Sequence, residues 1–235
     1  MALTGSRESQ ARHYKALLLD FGGVIQKSFF ETRQEMERLL KLPRGTIAWT
    51  GPFDPDADAL WQDVQSGKLS ERDYWQRRAR EVGRLFGEDW SIQQFCRMHN
   101  ALSSAVILRP EVVDLIVDVK RAGLKVGILT NELDLFHGEG WLQTVPFAAD
   151  LDCVVDATHT HILKPDPRAY ELALRALGLA APEVVFIDDQ WRNVRGGEEV
   201  GIRSLHLDIV HYRACVADAR ALFGFPPAIN SDNAD

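Results

Sequence analysis

Four short segments carry the residues best suited to chemistry. Asp20 precedes Phe21-Gly22-Gly23, so a carboxylate stands beside two glycines whose backbone N–H groups can approach a ligand closely. Such a carboxylate can act as a nucleophile facing an anion, or simply cap the turn. Thr130-Asn131 offers a hydroxyl and backbone N–H groups to a phosphate oxygen, although the same pair is common in ordinary turns. Lys164 lies in HILKPDPRAY, where Pro165 denies it a helical conformation and Asp166 or Pro167 begins the next helix. It is therefore a loop lysine, either balancing negative charge or solvated at the surface. Asp188-Asp189 close the run VVFIDD, and two adjacent carboxylates repel each other unless a cation or hydrogen bonds offset them. Magnesium is the natural cation, because it prefers oxygen and takes one or two protein carboxylates while keeping waters and substrate phosphate.

These residues end short apolar runs of strand length. KALLLD (15–20) stops abruptly at Phe21-Gly22-Gly23, and LKVGIL (124–129), CVVD (153–156), VVFI (184–187) and SLHL (204–207) are comparable. Most are apolar at successive positions, as in parallel strands covered on both faces. Helical patterns lie between them at 110–122, with Pro110 in the first turn, and at 166–177, ending before Gly178. The alternation predicts an α/β fold with a doubly wound parallel sheet, in which ligands gather beyond the carboxyl ends of the strands. Residues 28–104 break the rhythm: they hold helical patterns at 31–42 and 70–82, with Ser70 and Asp73 resembling a capping box, and no convincing strand. The expected division is a polar tail at 1–13, a core at 14–27 and 105–223, a helical insertion over the mouth of the first strand at 28–104, and a fraying tail at 224–235.

Composition narrows the function classes. With 235 residues and 46% hydrophobic content, the chain can bury the core of one domain with a modest insertion. Its formal charge is −7, from 27 Lys+Arg against 34 Asp+Glu, with no basic block, which argues against nucleic acid. No apolar stretch approaches the roughly 18 to 20 residues that span a bilayer, and the first residues lack an apolar signal core, so a cytosolic location and no membrane partner are expected. Cys96, Cys153 and Cys215 are widely spaced and read as buried thiols.

Taken in order, DFGGV at Asp20, ILTN at Thr130, KPDPRAY at Lys164 and FIDDQWRNV at Asp188 resemble the four motifs of the haloacid dehalogenase-like hydrolase superfamily, over about residues 14–210. The forms TN, KPDP and FIDDxxxNV are similar to the subgroup holding the amino-terminal phosphatase domain of soluble epoxide hydrolases and bacterial sugar-1-phosphate phosphatases. The resemblance implies a Rossmann-like core with a helical cap and a small phosphorylated metabolite as substrate. It implies that Asp20 attacks phosphorus to form an aspartyl-phosphate, that Thr130 with the backbone at Gly22, Gly23 and Asn131 holds phosphoryl oxygens, and that Lys164 balances charge. It also implies a magnesium ion on Asp20, the Gly22 carbonyl and Asp189, with Asp188 beside it.

One position departs from the pattern. Most phosphatases of this superfamily carry a second Asp two residues after the nucleophile, as general acid and base, and this chain has Gly22. Such a group contributes about 10²- to 10⁴-fold, or roughly 3 to 5 kcal/mol. Glycine there implies slow or selective turnover, favouring anomeric, acyl or aryl phosphates, unless Glu132, Asp134 or His137 supplies the proton. Two alternatives are a metal-independent 2-haloacid dehalogenase, whose halide leaves without a proton, and a binding or regulatory module that keeps the fold but not the turnover. Retention of Asp188-Asp189, where dehalogenases resemble SSN, favours a cation and phosphoryl transfer.

Other features have plainer readings. His159 and His161 form an H-x-H pair without a recognisable third zinc ligand. Trp61, Trp75 and Trp90 are expected to pack between helices of the insertion. Gly196-Gly197 suits close helix packing, and Asn193 is placed to orient Asp189 or a metal-bound water.

Overall fold

The computed structural model describes residues 14–227, so the expected tail at 1–13 and residues 228–235 lie outside the described residues. Five strands form one sheet: β1 (Ala16–Leu19), β2 (Lys125–Thr130), β3 (Cys153–Asp156), β4 (Val184–Asp188) and β5 (Arg203–His206). The order is β3-β2-β1-β4-β5 and every pairing is parallel. Helices α1 (Arg33–Leu39), α2 (Ala59–Gln65), α3 (Glu71–Arg84), α4 (Ile92–Asn100) and α5 (Ser104–Ile107) precede α6 (Pro110–Arg121), all between β1 and β2. The remaining helices are α7 (Leu133–His137), α8 (Ala157–Thr160), α9 (Pro167–Leu177), α10 (Trp191–Glu199) and α11 (Tyr212–Leu222).

The apolar runs lack alternation because both sheet faces are covered. Leu17, Leu19, Val126, Ile128, Val185 and Ile187 face one buried layer with residues of α6 and α11. Ala16, Leu18, Leu129, Val184 and Phe186 face the other, built on Ala169, Tyr170, Ala173 and Leu177 of α9. The period of two runs past the strand ends, so Asp20 and Asp188 belong to the face that α9 covers. Gly196 and Gly197 let α10 lie close, since a Cβ on the first would meet Tyr170 Oη at 2.7 Å and one on the second would strike Ser204. The C-terminal residues that are described are tied down: Phe225 packs on the core and Arg220 Nε donates to the Pro226 carbonyl at 2.6 Å.

Helices α1 to α4 enclose a third cluster that includes Phe30, Met36, Trp49, Tyr74, Val82, Trp90 and Phe95. Trp61 packs on Phe30 and Tyr74, Trp75 on Phe29 and Trp49, and Trp90 stacks on Phe86. Ser70 caps α3 by accepting from Asp73 N at 3.0 Å, while the reciprocal capping box sits at Ser91 and Gln94 of α4. Buried Asp58 accepts from Gly51 N, Trp61 N and Tyr74 Oη and pairs with Arg78, so one carboxylate ties together α2, α3 and the loop before them. Where this segment meets the sheet, fully buried Arg109 makes two bonds to Glu31 at 2.6 and 2.7 Å and donates to the Gly23 carbonyl at 3.1 Å.

His99 closes the same junction. Gln26 Nε2 lies 3.0 Å from its Nδ1, so Nε2 carries the proton and donates to Thr32 Oγ1 at 2.9 Å, while Thr32 donates to the Ser28 carbonyl. Burial, aided by His137, lowers its pKa from 6.5 to about 3. A folded-state pKa below the unfolded value means that the unfolded chain binds the extra proton. Stability is therefore expected to fall by about 1.4 kcal/mol per pH unit as pH drops below 6.5 towards 3 through this residue alone. Urea unfolding at pH 7.5, 6.0 and 5.0 measures the slope, and His99→Gln should flatten it by that amount.

Candidate active site

The chain winds outward from β1 in both directions, to β2 and β3 on one side and to β4 and β5 on the other. The crevice at that reversal, beyond the carboxyl ends of β1 and β4, is where an open α/β sheet exposes its strand termini to a ligand. Register places Leu19 beside Ile187 and Ile128, so the chain turns out of all three strands at nearly one level.

Lys164 organises the crevice. Its Nζ lies 2.7 Å from Asp20 Oδ1 and 2.6 Å from Asp188 Oδ2, and its side chain is 1% exposed. Burial alone would lower its pKa; the Asp188 and Asp20 carboxylates reverse that and raise it, so it stays charged. Asn131 fixes the backbone beneath it, accepting from Lys164 N at 2.7 Å and donating to the Lys164 carbonyl at 3.2 Å. The Asn131 side chain is thereby committed to this loop, which leaves only its backbone for a phosphoryl group. Asp188 is fully buried and accepts from Gln190 N at 2.8 Å and from Asn193 Nδ2 at 3.0 and 3.2 Å. Asn193 thus orients Asp188 and not, as the sequence suggested, Asp189, because the first turn of α10 faces the α9 side of the sheet. Tyr170 of α9 holds that turn by donating to the Asn193 carbonyl at 2.6 Å.

Asp189 points elsewhere. One of its oxygens lies against Gly23, where φ is +76° and a Cβ would collide with the carboxylate, while Oδ1 is buried without a hydrogen-bond partner. His206 lies 2.8 Å from the Asp189 carbonyl and stacks on Trp191, which pins the backbone. Asp20, Asp188 and Asp189 each offer an oxygen within 4.8 Å of the others. Burial raises the Asp20 pKa to about 6 against the pull of Lys164, and burial with the two neighbouring aspartates pushes Asp189 well above the carboxylate range. Two carboxylates on one ammonium, beside a third with a buried oxygen that has no partner, fit a divalent cation of hard character.

Thr130 is buried at the end of β2, opposite Asp156. Gly22 is exposed in the crevice, and a Cβ built there meets nothing within 4 Å. The three replacement acids suggested by the sequence are otherwise engaged. Glu132 pairs with Arg72 at 3.1 Å, Asp134 with His159 at 2.7 Å, and His137 bonds Asn100 at 2.7 Å while burial moves its pKa down to about 4. His159 and His161 do not converge: His161 ends α8 in a left-handed conformation with φ +57°. Asp156 is a structural cap, accepting from Thr158 N and Asp134 N.

A family model for haloacid dehalogenase-like hydrolases matches residues 14–201, most of the chain, including Asp20, Thr130, Lys164, Asp188 and Asp189. The chain belongs to that family. Among curated relatives, acyl-CoA dehydrogenase family member 10 of Mus musculus is 28% identical over 221 residues, 93% of this chain. The match spans only 20% of that mouse protein. Sesquiterpene phosphatase astK of Aspergillus oryzae is 26% identical over 200 residues, 83% of this chain and 90% of its own length. Of the solved structures, the HAD-hydrolase YfnB of Bacillus subtilis, bound to magnesium, superposes with a TM-score of 0.61 over 83% of this chain and 87% of its own, at 16% identity. That likeness is one of fold.

Glu71 and Arg72, which carry no functional signal in the sequence, open α3 and reach the crevice: Gln190 Nε2 donates to Glu71 Oε2 at 2.8 Å, and Arg72 pairs with Glu132. Acidic residues are ordinary in a first helical turn.

Lys164→Met would leave Asp20 and Asp188 buried without their cation. A loss of about 3 to 5 kcal/mol in unfolding free energy is expected from urea denaturation at pH 7.5. An unchanged midpoint would mean that water already compensates these carboxylates.

Proposed function

We propose that the chain is a magnesium-dependent phosphatase of small phosphorylated metabolites that works through an aspartyl-phosphate on Asp20. The observation that carries this reading is the Asp20 carboxylate, held 2.7 Å from buried Lys164 in a group of three carboxylates that has a single bonded cation. A phosphatase relative covered over 90% of its length supports it.

In this reading an oxygen of Asp20 attacks phosphorus. Thr130, together with backbone N–H groups of Gly22, Gly23 and Asn131, binds the phosphoryl oxygens. Lys164 stays protonated, steadies the Asp20 carboxylate in its attacking position and offsets the phosphate charge. Magnesium, held by Asp20, the Gly22 carbonyl and Asp189, would neutralise charge on the phosphoryl group. Asp188 supports the site through Lys164, its own charge being taken up by that lysine and by Asn193. Residues 14–27 and 105–223 serve as the core, and residues 28–104 as a cap that closes over the crevice and excludes water. Three free cysteines fit a reducing, cytosolic setting.

Halide displacement would need neither proton nor cation, so the buried, unpartnered oxygen of Asp189 would be an uncompensated cost in a dehalogenase. Retention of Asp20, Thr130, Lys164 and Asp189 together argues against a module that only binds. Position 22 has room for the family's acid but carries none, so the β1 turn by itself favours phosphates whose leaving group departs as a weak base.

A phosphate-ester panel assayed with magnesium and with chelator, using Asp20→Asn as the blank, tests the reading. Turnover should require both the ion and Asp20. Gly22→Asp should raise hydrolysis of alkyl phosphates by about 10-fold or more while changing aryl phosphates little. Chelator-insensitive halide release from 2-chloropropionate, or phosphate binding with no turnover anywhere in the panel, would overturn it.

A further inference from the structure

A phosphoryl transfer keeps attacking and leaving oxygens roughly in line, so the leaving oxygen lies on the side of phosphorus away from Asp20. Asp20 follows the central strand, and the helical segment meets the loops that leave the strands on either side of it. Two contacts from consecutive residues fix what stands there. Glu71 accepts from Gln190 Nε2 at 2.8 Å, and Arg72 pairs with Glu132 at 3.1 Å. Gln190 lies two residues beyond the end of β4 and Glu132 two beyond the end of β2, and β4 and β2 are the strands on either side of β1. The first turn of α3 therefore bridges the crevice above Asp20, while position 22 beneath it carries no side chain and has open space around it.

We infer that Glu71 is the general acid and base that position 22 lacks, acting on the leaving group and then on the hydrolytic water. The inference rests on the phosphatase reading above. In the first step an Asp20 oxygen bonds to phosphorus as the bond from phosphorus to the leaving oxygen breaks, and the electron pair on that oxygen takes the proton of the Glu71 carboxyl to release an alcohol. In the second, the Glu71 carboxylate removes a proton from water as the water oxygen bonds to phosphorus. The bond from phosphorus to Asp20 breaks, inorganic phosphate leaves, and both carboxyl groups regain their starting states.

The surroundings of Glu71 suit proton exchange. The groups facing it are Arg192 of α10, Asp188 and Asp189 at the end of β4, Glu132 beyond β2, and Trp75 one turn along its own helix. Burial raises its proton affinity; a Trp75 hydrogen bond and Arg192 oppose this, and Asp188 and Glu132 add to it. The net result is a carboxyl that holds its proton more readily than a free glutamate, as a general acid must near neutral pH. Its bonded partner is the neutral Gln190, whereas Glu132 and Asp134 are tied to Arg72 and His159.

Glu71→Gln keeps the shape and the acceptor for Gln190, so rapid-quench kinetics with magnesium can separate the two steps. With p-nitrophenyl phosphate, whose leaving group needs no proton, the variant should release one equivalent of p-nitrophenolate at close to the wild-type rate. Steady-state turnover should then be about 10²-fold slower, because the water has lost its base. With a primary alkyl phosphate the first turnover itself should slow by about 10²-fold or more, and Gly22→Asp in the same variant should restore it. Equal first-turnover losses for both esters, no loss for either, or no rescue by Gly22→Asp would overturn the assignment while leaving the phosphatase reading intact. A wild-type protein that releases no phosphate from any ester would instead remove the reading beneath it.

Discussion

A single buried ammonium holds this site together. Lys164 sits between Asp20 and Asp188 with almost no exposure, in a crevice that also contains Asp189. Burial works against the charge of both Asp20 and Lys164, and their pairing opposes it in each. Much of the local structure keeps that arrangement in place. Asn131 clamps the lysine backbone, Asn193 and the Gln190 N–H hold Asp188, and the Asp189 carbonyl is pinned by His206. One ammonium against three carboxyl groups leaves a buried Asp189 oxygen with no hydrogen-bond partner.

The helical segment is joined to this centre by charge as well as by its aromatic cluster. Arg109 binds Glu31 at the start of that segment and the Gly23 carbonyl beside Asp20, so the turn after β1 and the segment that follows it share one buried cation. On the opposite side, Glu71 and Arg72 rest on the loops after β4 and β2. On the assignment proposed for Glu71, proton supply would depend on α3 lying over the crevice, a dependence that an acid on the β1 turn would not create.

Much of the fold was legible because it rests on short-range patterns. Continuous apolar runs ending in Asp20, Asp156 and Asp188 mark strands covered on both faces, and the alternation with helices at 110–122 and 166–177 leaves a parallel sheet as the simple answer. Boundaries moved by one to three residues, since burial sets the body of an element and capping sets its ends. Less was legible in partner choice. Asn193 serves Asp188, Asn131 spends its side chain on the Lys164 loop, and His159 pairs with Asp134. Each depends on which face a side chain takes after the strand has ended, where periodicity no longer constrains it.

What the sequence determined by itself is the chemistry available at the strand ends: a carboxylate before glycines, a hydroxyl, a loop lysine and a pair of acids, in an order that matches the haloacid dehalogenase-like hydrolases. Only the tertiary structure decided how those charges are shared, with Lys164 on Asp20 and Asp188 and an unpartnered oxygen left to Asp189. It alone also brought Glu71, far along the chain from Asp20, to the mouth of the crevice. The reason is one of range: residue types and local periods are encoded over a few positions, whereas pairing between charges depends on distances that exist only after the sheet has assembled and the helices have closed over it.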